Sequence, residues 1–279
     1  MKNNSSGSIP FVAGYALQNY SCAEQGILDA CLNEYQYWYI DGSLSSEAPK
    51  NWNDKRINNM ISLIEKYKIN PLFHGNYKVP LSSDVDELRH TAIQYTKNEI
   101  NLASELSAPL IIHGGAIVEP RLVKTVKKQA INNFLFSLDE LYSYAIGKNV
   151  PIYLENLSNY LHYQPFSYIF TNEEEFDLIF SAFDAKFFLD LGHANVGNAC
   201  SKAIFEKYYD RIVGMAFSNN NKKYDQHLSL MKGTIDYIQI ISSIQSVGWK
   251  GVIAFETRDK SPSASINELT EIYQKISSF

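Results

Sequence analysis

The 279-residue chain is 45% hydrophobic and 20% charged, and it carries 30 acidic against 25 basic residues for a net charge of −5 at pH 7. This is the make-up of a globular protein with ample material for a core, and its acidic balance argues against a broad nucleic-acid surface, which needs clustered Lys and Arg. The three cysteines, Cys22, Cys31 and Cys200, are odd in number and lack metal-site spacing, which excludes a disulfide framework and predicts reduced core thiols.

The opening segment M-K-N-N-S-S-G-S is polar, so residues 1–8 are expected to form a disordered tail ahead of one domain over 9–279. With no apolar run of membrane-spanning length, a cytoplasmic location is expected. Ile9 to Ala16 reads as a first buried strand. Ser21 is placed to cap a helix over Cys22 to Asn33, whose Ile27, Leu28, Cys31 and Leu32 form one stripe. The aromatic run Tyr35 to Ile40 is a second strand, closed by an Asp41-Gly42 turn. A helix follows near Asp54 to Tyr67, and Asn70 to His74 is the third strand. Ser82 or Ser83 opens a long helix through about Leu106. Pro109 to His113 is the fourth strand, and a helix near Arg121 to Ile146 is expected to stop at Gly147. Pro151 to Glu155, Lys186 to Asp190, Ile212 to Phe217 and Gly251 to Glu256 supply the remaining strands. Helices near Glu173 to Phe183, Lys202 to Tyr209, Ile235 to Val247 and Ser263 to Ser277 alternate with them.

Apolar strands joined by helical crossovers imply a parallel sheet covered by helices, and eight such units in one chain predict a (β/α)8 TIM barrel. An open doubly wound sheet is the alternative, but neither a GxGxxG nor a Walker sequence follows the first strand.

In such a barrel every strand's C-terminal end faces one mouth. His74, His113, Glu155, Asp190 and Glu256 all close their strands there, and His193, Asp225 and His227 sit in the loops just beyond. Taken singly, each is an ordinary polar residue or a helix cap. Together, imidazoles and carboxylates at five strand ends point to a divalent metal of the Zn, Mn or Co type, since Ca and Mg prefer oxygen-only shells.

The segments F-H-G-N-Y, I-I-H-G-G, Y-L-E-N, L-D-L-G-H-A-N, D-Q-H with K-G-T-I-D, and A-F-E-T resemble the xylose-isomerase-like TIM barrel superfamily. That group holds sugar and sugar-phosphate isomerases and epimerases, and also nucleases of the endonuclease IV type. For the isomerases the resemblance implies one divalent metal on Glu155, Asp190, a strand-seven His and Glu256, with Glu155 and Glu256 exchanging protons with the substrate carbon. For the nucleases it implies three zinc ions, adding one set of His74, His113 and Glu155 and another of His193, Asp225 and His227. The chain departs from the pattern at strand seven. There G-M-A-F-S-N puts Ala216 where the His belongs and Asn219 in place of the usual Asp. The resemblance therefore implies a metal-dependent sugar or sugar-phosphate isomerase or epimerase, with His193, Tyr77 and Tyr15 as substrate contacts and Trp52 as a further stacking candidate. The alternatives are an abasic-site nuclease, or a barrel that binds a small ligand without catalysis. The expected partner is a small sugar and not nucleic acid or membrane, and a homo-oligomer is compatible with all three.

Overall fold

The computed structural model describes residues 12–15, 22–117 and 123–277. Within them the strands are β1 (Val12–Tyr15), β2 (Tyr37–Asp41), β3 (Asn70–His74), β4 (Leu110–His113), β5 (Ala116–Ile117), β6 (Ile152–Glu155), β7 (Ser167–Tyr168), β8 (Lys186–Asp190), β9 (Ile212–Phe217) and β10 (Val252–Phe255). The helices are α1 (Ala23–Leu32), α2 (Asp54–Tyr67), α3 (Asp86–Glu105), α4 (Val123–Lys148), α5 (Glu173–Ala182), α6 (Leu191–Val196), α7 (Ser201–Tyr208), α8 (Tyr237–Ser246) and α9 (Pro262–Ser277). All strands but β5 and β7 pair in parallel in the order β1-β10-β9-β8-β6-β4-β3-β2 and close on themselves, as the strand count predicted.

Pleat alternation sorts the side chains of β2, β3, β4, β6, β8, β9 and β10 into two faces. Tyr39, Leu72, Ile111, Phe188, Ala216 and Ala254 pack together as the barrel interior. Their outward neighbours Ile40, Phe73, Ile112, Leu189, Phe217 and Phe255 join the larger core beneath the helices. Burying one such side chain contributes roughly 1.5–3 kcal/mol, so the alternation is strongly enforced. Two residues beyond each interior residue the same face reaches the mouth, at Asp41, His74, His113, Asp190, Ser218 and Glu256. Glu155 follows Tyr153 in the same way.

Helix ends are set by local chemistry. Asn53 accepts from Arg56 N to start α2, which Lys68 ends in a left-handed turn at φ 53°. Asn172 caps α5, and Glu173, Glu174 and Glu175 complement its N-terminal dipole. Deep under α2, Glu47 is fully buried, accepts from Ala23 N, and pairs with Arg56 at 2.7 Å.

Several expectations need correction. The cap expected at Ser21 lies outside the described residues, and at the start of α1 Ala23 N donates to Glu47 Oε1. The third helix begins at Asp86 because Ser83 is committed to a turn, its hydroxyl accepting from Val85 N and its carbonyl from Arg89 and Asn133. Gly147 does not stop α4, which runs to Lys148 and leaves through Asn149 at φ 57°. The glycine penalty of about 1 kcal/mol is small beside the packing of a helix this long. Cys200 is exposed and Cys22 and Cys31 are half-buried, so these free thiols are not core residues. The pairs β5–β7 and the short α6 were not anticipated, and the tail at 1–8 lies outside the described residues.

Candidate active site and metal centre

The mouth holds a cavity of about 420 Å3 with an ionic floor and aromatic walls. At its floor Glu155, only 1% exposed, stands between three imidazoles. His74 Nε2 lies 3.5 Å from Glu155 Oε2, and His113 Nε2 lies 3.4 Å from Oε1. His193 Nδ1 is 3.8 Å from Oε1 and 3.5 Å from Asp190 Oδ2. On the far side His193 Nε2 and His227 Nε2 both address Asp225 Oδ2, at 3.4 and 2.8 Å. His227 Nδ1 is 3.7 Å from Glu256 Oε2.

Backbone carbonyls fix two of the imidazoles. His193 Nδ1 contacts Asn156 O at 2.8 Å, and His227 Nδ1 contacts Glu256 O at 3.0 Å. A carbonyl can only accept, so each Nδ1 carries its proton, and each Nε2, which faces the Asp225 carboxylate, would ligate a metal only on giving up its own. His227 is held at φ 51°, a backbone region costly for a side-chain-bearing residue. Arg258 N donates to its carbonyl and Leu228 pairs with Asn219 on either side, and these bonds maintain that conformation.

The buried charges push one another apart. Burial opposes protonation of His74, yet the facing Glu155 and Asp41 carboxylates hold it up at about 9. At His113 burial wins, and its imidazole titrates below the ordinary value. Burial would raise Glu155, but His113 and His74 keep it well below the usual carboxylate range. Glu256 goes the other way: burial, then the charges of Asp190 and Glu155, push it up to about 8. Burial also lifts Asp190, to about 6. Asp225 is held well below its ordinary value, because His193 and His227 outweigh its burial.

The donor chemistry fits a divalent ion. His74, His113 and Glu155 offer one ligand atom each, all within 4.8 Å of one another, and so do Glu155, Asp190 and His193. Neither Glu155 oxygen nor Asp190 Oδ2 has a hydrogen-bond partner, although all three atoms are buried. Imidazoles face these carboxylate oxygens at 3.4–3.8 Å, longer than a strong hydrogen bond, and a cation between them would compensate their burial more closely. Two imidazoles with a carboxylate suit Zn, Mn or Co. The four-ligand set implied by resemblance is not complete. Ala216 lies in the barrel interior with no donor atom, and the mouth position of its strand is Ser218, whose fully buried hydroxyl has no partner. Asp190 also has a structural task, since its Oδ1 accepts from His193 N and caps α6.

Of the expected substrate contacts, His193 and Tyr77 line the cavity, and the side chain of Tyr15 lies outside the described residues. Trp52 is not at the mouth: its Nε1 donates to Glu47 O and the Arg56 guanidinium stacks 4.0 Å from its ring centre. Sequence reasoning missed Asp41, Tyr39, Tyr160, Tyr168 and Arg258, all of which line the cavity. Asp41 ends its strand as His74 and Glu155 do, a signal hidden because Asp-Gly reads first as a turn. Tyr160 and Tyr168 come from the loop after β6. That loop is drawn over the mouth where β7 pairs antiparallel with β5, and no strand-end rule foretells this.

Comparison with known proteins places this geometry. Residues 34–276 match the family described as Xylose isomerase-like TIM barrel. An uncharacterized protein of Methanocaldococcus jannaschii, MJ1311, is 24% identical over 230 residues, which span 80% of this chain and 76% of that one. The crystal structure of a D-tagatose 3-epimerase-like protein superposes with a TM-score of 0.82 at 19% identity, covering 96% of this chain and 99% of that one. That of a D-allulose 3-epimerase from Methylomonas sp. does so with a TM-score of 0.71 at 16% identity, covering 96% of each. At such identities the likeness establishes the fold, and the match over most of the sequence establishes the lineage. The chain belongs to the xylose isomerase-like TIM barrel family.

Proposed function

We propose that the protein is a metal-dependent isomerase or epimerase of a sugar or sugar phosphate, working by proton transfer next to a carbonyl. The observation that carries this reading is the placement of two buried carboxyls, Glu155 and Glu256, at one mouth. Without metal, the imidazoles of His113 and His74 hold Glu155 below the usual carboxylate range, while burial and the Asp190 and Glu155 charges push Glu256 up. Their strands, β6 and β10, are separated around the barrel by β8 and β9, so the two groups flank the cavity from different sides. A carboxylate on one side and a carboxylic acid on the other are what removal and return of a proton on opposite faces of a carbon require. His74, His113 and Glu155 would hold a divalent ion, which when bound would supply Lewis-acid polarisation of the substrate oxygen. Glu155 Oε2 faces His74 and its Oε1 faces His113 and His193, at 3.4–3.8 Å, which sets the carboxylate at the cavity floor as the proton acceptor. His193 and Tyr77 orient the substrate from the cavity walls. The relatives with solved structures named for sugar 3-epimerases agree with this reading.

The second reading, a zinc nuclease on abasic DNA, is favoured by the convergence of His193 and His227 on Asp225. Against it, the cavity is walled by Tyr39, Tyr77, Tyr160 and Tyr168 and, among the described residues, lined by one arginine, a poor surface for phosphates.

The deciding experiment incubates the metal-loaded protein in D2O with ketohexoses, aldohexoses and their phosphates. Deuterium entering one carbon-bound position of a sugar, lost in Glu155→Gln and Glu256→Gln, supports the proposal. Incision of an abasic duplex with no exchange in any sugar overturns it.

A further inference from the structure

Between α3 and the barrel lies a carboxyl where a packed helix face is ordinarily apolar. Ala92, Thr96, Glu99 and Ala103 share the buried face of α3, and Glu99 is 1% exposed. Its Oε1 accepts from Asn76 N at 2.9 Å, just after β3. One backbone hydrogen bond does not offset the cost of burying a carboxyl. Its Oε2 is turned toward Gly75, where a Cβ would lie 3.3 Å from it.

Gly75, Thr96, Glu99 and His113 are among the residues that line a second, small cavity of about 10 Å3. That volume is about what one water molecule needs. His113 lines the mouth cavity as well, so its ring stands between the two spaces. On the mouth side Nε2 addresses Glu155 Oε1 at 3.4 Å. Its Nδ1 is buried and has no hydrogen-bond partner among the described residues. His193 and His227 differ, since each has Nδ1 tied to a backbone carbonyl. A ligating imidazole is ordinarily oriented by a partner on its other nitrogen, and for His113 the chain offers that partner only across the small cavity.

We propose that Glu99 is a positioning residue for His113: a water in this cavity bridges His113 Nδ1 to the Glu99 carboxyl and holds the ring with Nε2 toward the mouth. The inference rests on His113 as a metal ligand and is independent of which reaction the site performs. A neutral imidazole carries one proton. In metal-free protein that proton sits on Nε2, facing Glu155, and the water donates to Nδ1. To offer Nε2 to a metal, His113 shifts the same proton to Nδ1, which donates it to the water. The water in turn donates to Glu99 Oε2. The acceptor behind the water makes the ring a stronger ligand.

The test is zinc titration of protein with isotopically labelled histidine rings, read by ring-nitrogen NMR, with zinc affinity measured by chelator competition for wild type and Glu99→Gln. In that variant the amide oxygen keeps the Asn76 bond, so the amide turns a donor to the cavity where an acceptor is needed. In wild type His113 Nδ1 changes from bare to protonated as zinc is added. Glu99→Gln binds zinc at least about tenfold more weakly, while its metal-free His193 and His227 signals match wild type. Undiminished affinity in the variant overturns the positioning role, and so does a loss accompanied by shifted His193 and His227 signals, which marks a general disturbance of the floor. If the variant does not fold, the wild-type titration still decides: a His113 Nδ1 proton with a cross-peak to bound water supports the bridge, and a bare Nδ1 in zinc-loaded protein overturns it. Failure of the wild type to bind zinc overturns the metal reading of the floor and the role of Glu99 together.

Discussion

Replacing Glu155 by Gln keeps the shape of the side chain and removes the charge that faces His74 and His113. Only that charge and those of Asp41 and Glu256 hold His74 up at about 9, against a burial that lowers it from 6.5. The rise of 2.5 units corresponds to about 3 kcal/mol of favourable interaction with the imidazolium at 1.36 kcal/mol per unit. Because the folded value is raised, this stabilisation is fully present below pH 6.5 and is lost as pH climbs through about 9. In Glu155→Gln burial dominates and the His74 midpoint falls to 6.5 or below. The direct measurement is a ring-carbon NMR titration of His74 in metal-free protein. Urea unfolding at pH 6 and pH 9 then gives the energy: the stability difference between wild type and variant narrows by about 3 kcal/mol between those values. A His74 midpoint that stays near 9 in the variant refutes the electrostatic reading of the floor.

Other outcomes follow from the same geometry. Glu256→Gln leaves stability unchanged at pH 4 but raises it at pH 9, by up to about 5 kcal/mol, because a carboxyl pushed from 4.5 to about 8 loses stability as it ionises across that interval; urea midpoints at the two pH values measure it. Ala216→His inserts an imidazole into the packed barrel interior and costs about 1–3 kcal/mol in metal-free protein, while adding one equivalent of bound zinc beside Asp190; unchanged metal content by elemental analysis contradicts the strand-seven alignment. Arg56→Ala strands the fully buried Glu47 and costs about 3–5 kcal/mol, read by chemical denaturation at neutral pH.

What the sequence disclosed and what it hid have one physical origin. The strand ends were legible because burial enforces alternation, so an apolar run that stops at His74, His113, Glu155 or Asp190 says which way that residue points. Ser218 follows the same rule two positions after Ala216, but a hydroxyl gives no signal of a site. Trp52 was misplaced because an aromatic in a loop carries no period. Its partner Arg56 lies on a helix whose packing no local pattern states. Tyr160 and Tyr168 reach the mouth only through the pairing of β5 with β7, a contact between distant loops. Cys200 was taken for core on residue type alone, and the exposed N-terminus of α7 holds it instead.

The layering of the barrel has a further consequence for how such a chain can change. Each mouth residue is separated from an interior residue by a single outward neighbour, as in Phe188, Leu189 and Asp190. A one-residue insertion there exchanges the two faces of everything that follows in the strand. Asp190 would then be driven under the helices, and Leu189 would be brought to the mouth. Point substitution can therefore edit the site one residue at a time, while length changes are confined to the loops. The chemistry at the mouth and the length of each strand are inherited together.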